Sequence, residues 1–256
     1  MKKFEVYAHC GGRFPPNHMS TFHFAGTLGV DGIETDICLT SDGEPIIYHP
    51  GTLKPPEPTS MTWKQLLRQD YRVSHLDAFL GYLSIFRRLK CLLDIKIYSR
   101  DLVQKIVAKT SDKEFRERIF LTAPKKKSRT VDFHVDAGLL EYARELDNRV
   151  KIHIIDTLPL NMAGTVKKYR TDMISFGWLN DSLASRVLFD LIFKSGLKNA
   201  EREVEKAQEA GARVMAGIAN TAEEVRELLT LFPTIDAIIT DNPAMALSMR
   251  DWPLSL

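Results

Sequence analysis

The sequence predicts an α/β protein built as a (β/α)8 TIM barrel. Eight short apolar runs recur along the 256 residues, segments of helical period separate most of them, and the conspicuous polar residues gather at the ends of the runs. The runs are "FEVYAH" (4–9), "GIETDICLT" (32–40), "CLLDIK" (91–96), "IFLTA" (119–123), "VKIHII" (150–155), "MISFG" (173–177), "RVMAGIA" (213–219) and "DAIIT" (236–240). Each has the length and continuous apolar character of a buried parallel strand.

Helical segments are predicted at 19–29, 99–110, 135–147, 199–211 and 220–232. The fourth ends on Gly211, a residue suited to a C-cap. The fifth opens on Asn220 or Thr221, with acids in its first turn. A doubly wound open sheet is the main rival, but the first strand runs into "HCGGRFPP", which lacks the GxGxxG spacing. Between Pro50 and Phe86 the chain is first irregular, "PGTLKPPEPTS", and then helical in "MTWKQLLRQ" and "HLDAFLGYLSIFRRL". This reads as a decorated loop after the second strand rather than a linker, so residues 1–256 are expected to form a single domain.

Composition narrows the function. Lys and Arg number 35 against 33 Asp and Glu, a balance that gives no support for a nucleic-acid binder. The local basic run at Lys125, Lys126, Lys127 and Arg129 reads as a solvated surface. Three widely spaced cysteines, Cys10, Cys38 and Cys91, form no CxxC and fit a reducing, cytoplasmic setting. No signal peptide or membrane anchor is expected. The most apolar stretch, 186–197, is interrupted by Asp190 and Lys194 and reads as helix packing, a pocket lid or a dimer surface.

The second run carries the chemistry. Alternation places Ile33, Thr35, Ile37 and Leu39 on one face and Glu34, Asp36 and Cys38 on the other. Two carboxylates on an inward face must be neutralised, because an unpaired buried charge costs several kcal/mol. Basic side chains or a divalent cation would do this. Asp94, ending the third run, adds a third oxygen ligand, and such a set suits Mg2+ or Ca2+ rather than zinc. His9 ends the first run, His49 follows a turn at "SDGE", Lys96 follows Asp94, and Asp241 ends the eighth run in "ITDNP".

These residues, taken in order, resemble the glycerophosphodiester phosphodiesterase family. The matching positions are His9, Gly11, Asn17, Ala25, Gly29, Asp31, Glu34, Asp36, Thr40, Asp42, Gly43 and His49. The family's Glu-x-Lys appears as Asp94-x-Lys96, and its Thr-Asp-x-Pro as Thr240-Asp241-Asn242-Pro243. The resemblance implies a TIM barrel that hydrolyses glycerophosphodiesters to glycerol 3-phosphate and an alcohol. It implies Mg2+ or Ca2+ on Glu34, Asp36 and Asp94, with His9 and His49 as the acid–base pair. It further casts Lys96, Arg13, Asn17 and Trp178 as substrate or phosphate contacts.

The sequence departs from the family at several of these points. The arginine that follows the first histidine is Cys10, for which Arg13 or Lys96 would substitute. Pro16 and Pro50 replace acids beside the two histidine motifs. "GIAN" (217–220) replaces a Trp-Thr-x-Asn segment, leaving Trp178 or Phe176 to supply an aromatic wall. Asp at 94 also resembles the sphingomyelinase D-type phospholipases, which form a cyclic phosphate. A barrel that binds a phosphodiester without turnover is the third reading. A small-molecule substrate and a monomer or homodimer are expected.

Overall fold

The structure is a computed structural model and describes residues 3–50, 57–69, 73–125, 135–156, 160–177, 183–194 and 200–250. The fold is a (β/α)8 TIM barrel. Its described residues group into two compact units, one formed by residues 10–152 and the other by the first nine residues with 153–256.

Strand β1 (Glu5–Ala8) opens the chain. Residues 10–152 then hold α1 (Met19–Leu28), β2 (Gly32–Leu39), β3 (Pro45–Ile47), α2 (Trp63–Gln69), β4 (Ser74–His75), α3 (Leu76–Ile85), β5 (Lys90–Ile95), α4 (Arg100–Thr110), α5 (Lys113–Arg116), β6 (Ile119–Pro124) and α6 (Gly138–Leu146). β2, β5 and β6 run parallel, with Asp36 beside Asp94 and Asp94 beside Thr122. Every residue of β2 is buried, so its polar face has little access to bulk water.

The expected loop after the second strand is more ordered than its prolines suggest. Thr40 closes a tight turn, its carbonyl accepting from the Gly43 N–H at 3.0 Å and its hydroxyl donating to Asp42 at 2.6 Å. β3 then returns antiparallel along β2 and pairs with β4. Cys38, Ile46, Tyr48, Met61, Leu66 and Val73 form a core beneath this excursion, with Trp63 packed on it. At the next corner the Arg118 guanidinium donates to the carbonyls of Leu83, Phe86 and Leu89, each at 3.1 Å. These bonds tie the last turn of α3 to the turn that follows it.

The second unit holds β7 (Lys151–Ile155, its first two residues at the end of the other unit), α7 (Met162–Tyr169), β8 (Met173–Phe176), α8 (Leu183–Phe193), α9 (Ala200–Glu209), β9 (Arg213–Gly217), α10 (Ala222–Leu231), β10 (Ala237–Thr240) and α11 (Pro243–Arg250). β7, β8, β9, β10 and β1 pair in that order, all parallel. Thr221 caps α10 in a reciprocal box with Glu224. Gly177 and Gly217 allow β8 and β9 to approach closely at their ends. A Cβ at 177 would lie 1.6 Å from the Gly217 carbonyl oxygen.

The apolar stretch beginning at 186 is divided between two environments. Phe189 and Phe193 of α8 pack on Phe232, while Leu183, Val187 and Leu191 are exposed. Phe176 is also corrected from its expected place. It is buried edge-on against Phe232, because its strand position faces the surrounding helices, and it builds no pocket wall. Trp178 and most of the basic run, Lys126, Lys127 and Arg129, lie outside the described residues. Among the described residues no helix is long and apolar enough to cross a membrane.

One buried group sets a pH dependence. Burial pushes the His153 imidazole down to about 3, whereas an unfolded imidazole titrates near 6.5. Between those values the unfolded chain binds the extra proton, so stability is lost as pH falls through that window. Urea denaturation at pH 7 and pH 5 should show His153→Leu losing about 2 kcal/mol less stability between the two pH values than the wild type. Equal losses would show that His153 does not govern this window.

Candidate active site

The site begins with strand register. Asp36 on β2 and Asp94 on β5 are direct partners across a parallel ladder, so their side chains leave the sheet on the same face. Glu34 lies two residues earlier on that face. One oxygen from each of Glu34, Asp36 and Asp94 falls within 4.8 Å of the other two, and all three residues are buried.

Lys96 answers part of this charge. Its ammonium lies 2.8 Å from Asp36 Oδ1 and forms a short contact with Asp94 Oδ2. Burial works to lower the Lys96 ammonium, but Asp36, Asp94 and Glu34 hold it well above its ordinary value. Burial pushes the Asp94 carboxyl up, against the opposing pull of Lys96. Three carboxylates against one ammonium leave two negative charges for other groups to balance.

Two further oxygens, Glu34 Oε2 and Asp36 Oδ2, are held by the loop that precedes α1. The Cys10 N–H donates to Glu34 Oε2 at 3.1 Å. Its thiol lies 3.6 Å from the same oxygen and 3.5 Å from Asp36 Oδ2. Burial, with Asp36 and Glu34 beside it, pushes the Cys10 thiol well up, so the sulfur carries its proton toward the carboxylates. Gly11 follows at φ +88, where a Cβ would strike the Thr21 hydroxyl at 2.6 Å. Asn17, at φ 57, turns its amide inward. Its Nδ2 donates to Asp36 Oδ2 at 2.6 Å, while Oδ1 accepts from Thr35 Oγ1 and the Asp36 N–H at 2.7 and 3.1 Å. The described bonds of Asn17 thus go to β2 and to the loop itself.

The carboxylate set fits a divalent cation. All its donors are oxygens, and Asp94 Oδ1 is buried with no hydrogen-bond partner among the described residues. A buried carboxylate oxygen in that state costs free energy that a cation would recover.

His49 reaches the same neighbourhood through β3. The Tyr48 N–H bonds the Asp36 carbonyl at 3.0 Å, which brings the returning chain level with Asp36. His49 then exerts a lowering pull on Asp94. Its Nδ1 lies 2.7 Å from the Pro50 carbonyl, an acceptor, so Nδ1 carries the proton and Nε2 is the basic nitrogen. Arg13 is exposed, with its guanidinium 4.6 Å above the Phe24 ring.

His9 follows β1 in the other unit. Its Nδ1 lies 2.7 Å from Asp241 Oδ1. Asn220 donates to the second Asp241 oxygen at 2.6 Å and accepts from the Asp241 N–H at 2.7 Å. Burial raises the Asp241 carboxyl, but the bonds from His9 and Asn220 outweigh it and hold the group below its usual value. Asp241 and Asn220 stand in segments matched to the family, but the sequence alone read the first as a turn and the second as a helix start and gave neither a site role; the structure joins both to His9. The signals were "ITDNP" at a strand end and the matched segments 217–220 and 240–243.

The TIM-barrel fold and a matching family profile define an enzyme of the phosphoric diester hydrolase class. The profile described as the glycerophosphoryl diester phosphodiesterase family matches residues 10–245, and the chain belongs to that family. No curated protein matches the chain closely enough to count as a relative.

Several solved structures share the fold. A glycerophosphodiester phosphodiesterase from Galdieria sulphuraria, named as putative, is 15% identical with a TM-score of 0.76, over 97% of this chain and 98% of that one. One from Parabacteroides distasonis is 14% identical with a TM-score of 0.75, over 97% of each chain. An Oleispira antarctica phosphodiesterase, solved with the product sn-glycerol-3-phosphate, is 17% identical with a TM-score of 0.72, again over 97% of each.

The Asn17 network makes a direct prediction. Asn17→Ala removes three hydrogen bonds to β2 and places alanine at a left-handed backbone position. Urea denaturation should show a loss of about 1–3 kcal/mol. A stability unchanged from the wild type would mean that these bonds do not hold Asp36 in place.

Proposed function

We propose that the protein hydrolyses glycerophosphodiesters to glycerol 3-phosphate and an alcohol, with a divalent cation, Mg2+ or Ca2+, on Glu34, Asp36 and Asp94. The observation that carries this reading is the buried carboxylate triad, whose charge Lys96 offsets only in part. When bound, the cation supplies Lewis-acid stabilisation of charge on a non-bridging phosphate oxygen. Lys96 holds Asp36 and Asp94 together and presents its positive charge to the phosphate.

His9 acts as the base. Its protonated Nδ1 is held by Asp241, leaving Nε2 to take the proton of the nucleophile, either water or the hydroxyl beside the phosphate on the substrate. The Asp241 carboxylate then stabilises the imidazolium that forms. His49, in its doubly protonated form, gives the Nε2 proton to the leaving alkoxide. Its Nδ1 is held by a neutral carbonyl rather than a carboxylate, which suits a group that must release a proton. Cys10 occupies the usual arginine position, so Lys96 and Arg13 are the cations left to meet phosphate, and Trp178 is the aromatic left to wall the pocket. Asn17 contributes by holding Asp36. The family profile spans 10–245, which supports reading 1–256 as one catalytic domain. The cysteines form no disulfide in the structure, which fits a cytoplasmic enzyme.

The test is a panel of phosphodiesters assayed with and without EDTA. Glycerol 3-phosphate should be released from glycerophosphodiesters, EDTA should abolish this, and Mg2+ or Ca2+ should restore it. Glu34→Ala and His9→Ala should each lower kcat/KM by about 10²-fold or more. Activity that persists through EDTA and both substitutions would sink the mechanism, and a cyclic phosphate as end product would move the reading to a lyase.

Asp241→Asn separates anchoring from binding. The change keeps the shape but inverts the hydrogen-bond preference at His9, so kcat should fall by about 10²-fold or more while KM stays nearly constant. A variant with unchanged kcat would remove Asp241 from the mechanism.

A further inference from the structure

A surface helix ordinarily turns its charges to water and its leucines to the core. Helix α8 does the reverse. Leu183, Val187, Leu188 and Leu191 are 80, 57, 42 and 58% exposed. Ala184 is exposed with them, and at helical spacing all five positions share one face. Phe189 and Phe193 take the opposite side and are buried.

The charges of α8 line one edge of that face and neutralise one another. Arg186 and Lys194 both pair with Glu227 of α10, Lys194 at 2.6 Å. Both also pair with Asp190, at 3.5 and 3.2 Å. Two cations thus meet two carboxylates, and the helix can enter an apolar medium without stripping water from an unpaired charge.

The size of the face decides what covers it. Its four large side chains expose roughly 400–500 Å2, which is the scale of a functional patch on a monomer. A second copy seated there would bury about that much from each partner, against about 800 Å2 per partner in a stable interface. A lipid surface asks for less, since an amphipathic helix lies in the headgroup boundary with one apolar face about 5–10 Å deep. At 11 residues α8 is far too short to span a bilayer, so the contact is peripheral.

The helix also stands near the histidine line of its own unit. Six residues, 177–182, separate it from the end of β8. Glu227 lies seven residues after Asn220, on the order of 10 Å of helix, and Asn220 donates to Asp241.

We propose that the outer face of α8 is a lipid-contacting surface, which seats the protein reversibly on a bilayer through Leu183, Val187, Leu188 and Leu191. Apolar burial drives the contact, and charge contributes little. The inference goes beyond the phosphodiesterase reading and does not depend on the metal or histidine assignments.

The test is co-sedimentation of the full chain with phosphatidylcholine vesicles, at low and high salt. The wild type should partition onto them, and high salt should not release it. The combined variant Leu183→Gln, Val187→Gln and Leu191→Gln keeps good helix formers while removing apolar surface. It should partition about 10-fold or more weakly. Ile85→Gln, at an equally exposed apolar position at the end of α3, should partition as the wild type does. Circular dichroism and thermal melts establish that each variant is folded.

A wild type that stays in solution overturns the proposal, as does equal partition of wild type and combined variant. Binding that needs anionic lipid and is lost in high salt would place the contact on lysines instead. Analytical ultracentrifugation without lipid should show no dimer that depends on this face. A dimer that the combined variant dissociates would assign the face to a second copy and overturn the lipid contact.

Discussion

The arrangement at the centre of this molecule depends on one parallel register, Asp36 opposite Asp94, with the Lys96 ammonium between them. Two carboxylates at this spacing inside a sheet are mutually repulsive and poorly solvated. Their presence obliges the neighbouring chain to supply cations and donors. Lys96 follows Asp94 by two residues and so rises on the same face. Asn17 and Cys10 are brought in by a loop whose backbone enters the left-handed region at Cys10, Gly11, Gly12 and Asn17. β3 folds back along β2 and delivers His49. Sliding β5 by one residue would turn Asp94 to the opposite face and leave each of these partners facing an apolar residue.

Much of this was legible in the sequence because buried parallel strands read as continuous apolar runs. Carboxylates inside such runs, at Glu34, Asp36 and Asp94, break the pattern and mark the inward face. β3 and β4 were not legible, since strands of three and two residues have no measurable period. α7 was missed for a related reason. Its sequence, "MAGTVKKY", is short and carries an internal glycine, so only the Asn161 cap distinguishes it from a turn. Phe176 shows a different failure. A strand covered on both sides is apolar on both, so the sequence did not reveal that this ring faces helices.

The partners of the histidines were hidden for another reason. Asp241 and Asn220 are separated by an entire helix, and Asp241 and His9 by almost the whole chain. Each has an ordinary local explanation. Only the third dimension joins them into a line of hydrogen bonds with the imidazole at one end. Asn17 was noticed for its position in a motif, but its turn inward depends on a backbone conformation that its neighbours Pro15 and Pro16 do not announce.

The close approach of Gly177 and Gly217 bears on how this scaffold could be redesigned. The backbone itself fills the space where a side chain at either position would begin, and a Cβ on Gly217 would in turn lie 2.5 Å from the Ile239 carbonyl oxygen. Installing an aromatic residue at 217 would therefore require three strands to move together, not a single codon change. Efforts to widen or retune substrate choice are better directed at the segments between strands, where the backbone has room to accept new side chains.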